Sequence, residues 1–103
     1  MRTKFSVQGK SPKEYTEADI LKACKRHLKA QGYYVIRNQL GLGAHKGLSD
    51  LQAIKDGLTV YIECKSPKWR GKLNPDQVEF KREIEEHGGM FILIDQMDQV
   101  EGL

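Results

Sequence analysis

Asp50, Glu63 and Lys65 are the residues of this chain whose types and spacing best suit chemistry on a phosphate group. What brings them together is Asp56-Gly57, a dipeptide that favours a two-residue hairpin turn because both of its central positions need positive φ. With that turn fixed, Lys55 pairs with Leu58 and, stepping away from it, Asp50 comes to face Glu63. Strand alternation then puts Leu51, Ala53, Leu58, Val60, Ile62 and Cys64 on one face and Asp50, Gln52, Tyr61, Glu63 and Lys65 on the other. Directly opposed carboxylates destabilise a sheet by up to ~1 kcal/mol, so the pair calls for a cation. Hard carboxylate oxygens suit Mg²⁺ or Mn²⁺, and an ammonium two residues beyond Glu63 can stabilise charge developing on phosphate. The reaction class this serves is metal-assisted phosphodiester hydrolysis. The same three residues also fit a solvated sheet face on which Lys65 offsets two ordinary surface acids.

The elements that must position them read in order. Thr16 is an N-cap with Asp19 in the capping-box place, opening a helix over about 17 to 31 that Gly32 ends. Ile20, Leu21, Cys24 and Leu28 form its apolar stripe, and Lys22, Lys25, Arg26 and Lys29 a basic one. Glu17 falls in the middle of the apolar stripe, so it faces the body of the protein, unless it merely complements the helix dipole. Tyr33 to Arg37 is a strand, Asn38 to Ser49 a glycine-rich loop, and the hairpin follows over 50 to 55 and 58 to 65. After a loop from Ser66 to Leu73, Asn74 and Pro75 start a second helix that Gly88-Gly89 stop. Gln77 shares a helical face with Phe80 and Ile84, so it points at the sheet, or is a simple amide at a helix start. Met90 to Ile94 reads as an interior apolar strand and Asp95 to Leu103 as a weakly helical or frayed tail. The fold class is α/β, in the order αβββαβ.

Composition sets the bounds. The 103 residues, 39% hydrophobic and 30% charged, suffice for one core and not for two. Residues 1 to 15 read as a basic arm carrying Arg2, Lys4, Lys10 and Lys13, and 16 to 103 as a single domain. No apolar run reaches bilayer length and no secretory signal opens the chain, so a cytoplasmic protein without a membrane partner is expected. Cys24 and Cys64 fall on apolar faces and read as reduced core residues. One poor pair, Cys24 with His27, does not make a zinc site. The net charge of +3 points to nucleic acid only weakly, but Lys65 to Lys72 reads K-S-P-K-W-R-G-K, with no acid. Lys68, Arg70 and Lys72 there can meet phosphates and Trp69 can stack on a base, with His45 and Lys46 adding contacts from the glycine-rich loop. A solvated loop with Trp69 packed on the domain fits the same residues.

Glu17 in a first helix, Gly47-Leu48-Ser49-Asp50, Glu63-Cys64-Lys65 and Asn74-Pro75-Asp76-Gln77 together resemble the VRR-NUC family, the virus-type replication-repair branch of the PD-(D/E)xK nucleases. The similarity spans about residues 16 to 95. It implies a restriction-endonuclease-like core, a mixed β-sheet with flanking helices. Asp50, Glu63 and the backbone carbonyl of Cys64 would bind Mg²⁺ or Mn²⁺, and Glu17 would reach the metal through water. Lys65 would act on nucleophile or phosphate, and Gln77 would support the site. Ser49 stands where the family commonly has Pro. The resemblance further implies a DNA endonuclease acting on branched or structured DNA, of Holliday junction or flap type, working as a homodimer. The rival is a catalytically silent DNA-binding or assembly module of the same fold. Against it, a binder has no need to set two acids beside phosphate.

Overall fold

The chain folds as α1 (Glu17–Ala30), β1 (Tyr34–Arg37), β2 (Leu51–Lys55), β3 (Leu58–Cys64), α2 (Pro75–Glu86) and β4 (Met90–Ile94), the expected order, and closes on a 3-10 segment (Met97–Gly102). The structure is a computed structural model and describes residues 14–69 and 72–103. The four strands lie in the order β1-β2-β3-β4, antiparallel except for the parallel pair β3 and β4. Asp56 and Gly57 take φ of 53° and 79°, and β2 and β3 pair in the register that turn dictates, from Lys55 with Leu58 to Leu51 with Ile62.

Helices cover both faces of the sheet. On one, the α1 stripe of Ile20, Cys24 and Leu28 meets Leu51, Ala53, Ile62 and Cys64 in a core where all seven are at most 2% exposed. The Cys24 and Cys64 thiols touch there at 3.9 Å and are free, as expected of reduced core cysteines. On the other face Phe80 of α2 makes edge contacts with Tyr61 at 5.4 Å and Phe91 at 6.2 Å. Both helices start on capping boxes, Thr16 with Asp19 and Asn74 with Gln77.

Three expectations need correction. β4 is an edge strand, not an interior one; it is apolar because helices pack on both its faces, with Phe91 against α2 and Ile94 in the α1 core. Of the two readings of the tail the helical one holds, since Met97 and Val100 are buried and the 3-10 segment packs on α1. Leu58, on the apolar face by alternation, is 73% exposed because the core ends short of the turn. Tyr15, placed by sequence with the basic arm, is buried in the core; residues 1–13 of that arm lie outside the described residues. Among the described residues no helix is long and apolar enough to cross a membrane.

Candidate active site

The site lies at the open end of the hairpin, opposite the turn. Asp50 immediately precedes β2, and one further step of the β2–β3 register puts it across from Glu63. Its Oδ2 accepts the backbone N–H of Cys64 at 2.8 Å, which pins the carboxylate against β3. Glu63 is 3% exposed. Its Oε2 accepts from the Gln77 amide at 3.0 Å and lies 3.8 Å from the Lys65 ammonium. Its Oε1 is buried with no hydrogen-bond partner. Buried polar atoms are nearly always satisfied, so this oxygen marks a place where a cation or proton belongs.

The electrostatics agree with that geometry. Burial first, and then the neighbouring Asp50 charge with a smaller push from Glu17, together raise the Glu63 carboxyl to about 8, against the opposing pull of Lys65. Glu17 is raised too, by partial burial and then by Asp50, again against Lys65. It therefore stands within electrostatic reach of the pair, although its side chain is exposed rather than turned into the core as its place in the stripe implied. Glu17 is the first residue of α1 and stands at the solvent-exposed rim of the site. Among the described residues no three His, Cys, Asp or Glu side chains gather into a ready-made metal cage. The chain thus offers two carboxylates at the centre and a third at the rim, and the unsatisfied Oε1 makes the pair fit a divalent cation that keeps part of its water shell.

Gln77 does two jobs at once. Its Oε1 accepts the Asn74 N–H at 2.9 Å, closing the capping box, and its Nε2 is then left to donate to Glu63. A capping box accepts Glu or Gln, but only the amide retains a donor for the neighbouring carboxylate. The start of α2 and the site are therefore one construction.

Asn38, which the sequence reading passed over, and Ser49 hold Asp50 from behind. Asn38, just after β1, donates its backbone N–H to the Asp50 carbonyl at 2.8 Å and its side-chain amide to the Ser49 carbonyl at 2.9 Å. Ser49 is fully buried and donates its hydroxyl to the Leu51 carbonyl at 3.0 Å. These bonds fix the entry to β2 in a chain that lacks Pro at position 49. A polar side chain directly after a strand was the signal for Asn38. Gly47 is the third support, at φ +74°, where an added Cβ would fall 2.0 Å from the Asp76 carbonyl oxygen. The glycine-rich loop thus lies directly on the first turn of α2, and His45 rests edge-on against Phe80 at 5.7 Å.

The structure brings Asp50, Glu63, Lys65 and Gln77 together, with Cys64 between Glu63 and Lys65 along the backbone and Glu17 at the rim. Of the expected DNA contacts, His45, Lys46, Lys68 and Lys72 are exposed, Lys68 in a 3-10 turn (Pro67–Trp69) just past the site. Arg70 and the side chain of Trp69 lie outside the described residues.

No family model matches the chain, and no curated protein matches it. Among solved structures, one described as a "VRR_NUC domain" superposes with a TM-score of 0.69 at 20% identity, covering 86% of this chain and 95% of that one. At that identity the likeness is one of fold. The chain has the VRR-NUC, restriction-endonuclease-like fold that the motifs implied: a mixed four-stranded sheet with flanking helices.

Proposed function

We propose that this nuclease-type fold is a metal-dependent DNA endonuclease with Asp50, Glu63 and Lys65 as its catalytic set. The observation that carries the reading is the buried Glu63 carboxylate with an unpartnered oxygen, next to Asp50 and an ammonium. Asp50, Glu63 and the Cys64 carbonyl would hold Mg²⁺ or Mn²⁺, with Glu17 acting through water. A cation bound there supplies Lewis-acid polarisation of a phosphoryl oxygen and lowers the pKa of water. Around it, the Cys64 N–H holds Asp50 in place and the Gln77 amide orients Glu63, so both carboxylates are set before substrate arrives. Lys65, 17% exposed beside Glu63, is free to turn its ammonium toward a bound phosphate, where charge develops.

Lys46, Lys68 and Lys72, with His45, Trp69 and Arg70, would carry the phosphate and base contacts. The α2 face is unsuited to that role, since Arg82 is paired with Glu79, Glu83 and Glu86, and Lys81 with Glu85, leaving acids in excess. The substrate proposed is branched or structured DNA, and a symmetric junction would be cut by a homodimer. The test is a panel of linear, nicked, flap and four-way DNAs incubated with Mg²⁺ or Mn²⁺. Cleavage that disappears on chelation is expected. Lys65→Ala should lower turnover by orders of magnitude while weakening binding little; equal losses of both would reduce Lys65 to a phosphate anchor.

A further inference from the structure

The loop that leads into Asp50 carries two exposed leucines. Leu40 is 53% exposed and Leu42 110%, a fully solvated side chain. Leu42 sits in a turn closed by the Ala44 N–H on the Gly41 carbonyl at 3.0 Å, between Gly41 and Gly43 at φ of +118° and +88°. A Cβ added to either glycine would meet open space. Their positive φ therefore serves the shape of the turn, which projects Leu42 outward, and not close packing.

The loop is anchored at both ends. Asn38 ties its start to Ser49 and Asp50, and Gly47 and His45 seat its end on α2. The exposed leucines thus stand on a braced segment whose anchors are the supports of the candidate site. From Asn38 to Ser49 the loop contains no acid, and the exposed Arg37 and Lys46 bracket the leucines. An apolar tip flanked by cations suits a polyanion with apolar base faces between its phosphates.

We infer that Leu40 and Leu42 form a wedge that enters the base stack of bound DNA next to the phosphate presented to Asp50 and Glu63. The inference rests on the nuclease reading and sharpens it. Apolar side chains inserted at a base step unstack it and kink the duplex, at a cost that is least where pairing is already broken. The preferred substrate is then DNA with an unpaired or weakly stacked step at the cut. The charge of the loop favours this occupant over a second copy of the chain, whose matching loop would bring the same cations against each other.

The experiment uses the full chain and DNAs carrying 2-aminopurine at steps around the cut, read by fluorescence without divalent cation and by cleavage with Mn²⁺. Wild-type protein should raise the fluorescence at one step. The double variant Leu40→Ser, Leu42→Ser should bind with an unchanged salt dependence and without that rise. It should also cleave fully paired substrate on the order of tenfold more slowly, with most of the loss recovered when a mismatch is placed at the cut. A variant that raises fluorescence as wild type does, or that loses as much activity on mismatched as on paired DNA, overturns the wedge. So does a change from dimer to monomer in light scattering, which would assign the leucines to a contact between copies. Wild-type cleavage with no fluorescence rise at any step sinks the wedge and leaves the nuclease reading standing. A wild-type protein that neither binds nor cuts any of the DNAs removes both.

Discussion

At its turn end the β2–β3 hairpin holds Asp56 and Gly57 at positive φ and leaves Lys55 and Leu58 to solvent. At its open end the same two strands bury Glu63 and leave one of its oxygens without a donor. The turn end follows local rules: Lys55 reaches the Gln31 carbonyl at 2.8 Å and lies over the Tyr33 ring. The open end violates them, since burying a carboxylate beside another carboxylate opposes folding. A hairpin that can satisfy its polar groups at one end and keeps them frustrated at the other retains that frustration for a ligand.

Glycine substitutions break the comparison most forcefully. Gly57 and Gly47 both have positive φ, but a Cβ at Gly57 meets nothing within 4 Å whereas one at Gly47 meets the Asp76 backbone. Gly57→Ala should cost only the conformational strain of about 1–2 kcal/mol. Gly47→Ala should add roughly 1–3 kcal/mol of overpacking, and it should impair cleavage because the loop into Asp50 must lift off α2. Denaturant unfolding and cleavage rates of the two variants check this; equal effects would mean that the loop does not brace the site.

Next in size is Gln77→Glu. The capping box survives this change, so α2 should stay formed, but a third carboxylate replaces the donor to Glu63 and its repulsion should lower the melting temperature somewhat in metal-free protein. Cleavage should fall clearly at a temperature where the variant is fully folded. A variant with normal turnover would confine Gln77 to its helix cap.

The smallest expected effect is a slope. Without metal, Glu63 in the folded chain holds its proton up to about pH 8 and in the unfolded chain only to the ordinary carboxyl value. Between those two values the folded state binds more protons, so stability is greatest at the acid end and falls as pH rises toward 8. In chelator, Glu63→Gln should flatten this decline and be the more stable protein at pH 8. The raised Glu17 carboxyl leaves a residual slope of the same sign in both. Parallel pH curves for the two proteins would show that Glu63 is not buried as described.

Much of this was legible in the residues, for identifiable reasons. Asp56-Gly57 sets the register of β2 and β3 because few residues tolerate two positive φ angles, and the register alone juxtaposes Asp50 and Glu63. The Thr16-to-Asp19 capping box and the Asn74-Pro75 start marked the two helix openings correctly, because caps are local too. What escaped depends on distant packing. An apolar run such as Met90–Ile94 signals covered faces and says nothing about neighbours within the sheet, so the edge position of β4 was missed. The clamp by Asn38, the contact of Gly47 with α2 and the docking of Met97 and Val100 on α1 arise only once the elements meet.

Whether Asp50 and Glu63 hold a divalent cation is tested most directly by calorimetric titration of Mn²⁺ into metal-free protein. Wild type should bind weakly, since two or three protein ligands leave several positions to water, and Asp50→Ala, still folded by circular dichroism, should give no binding heat. Identical isotherms for the two proteins, or no heat from wild type with or without DNA, would contradict cation binding there.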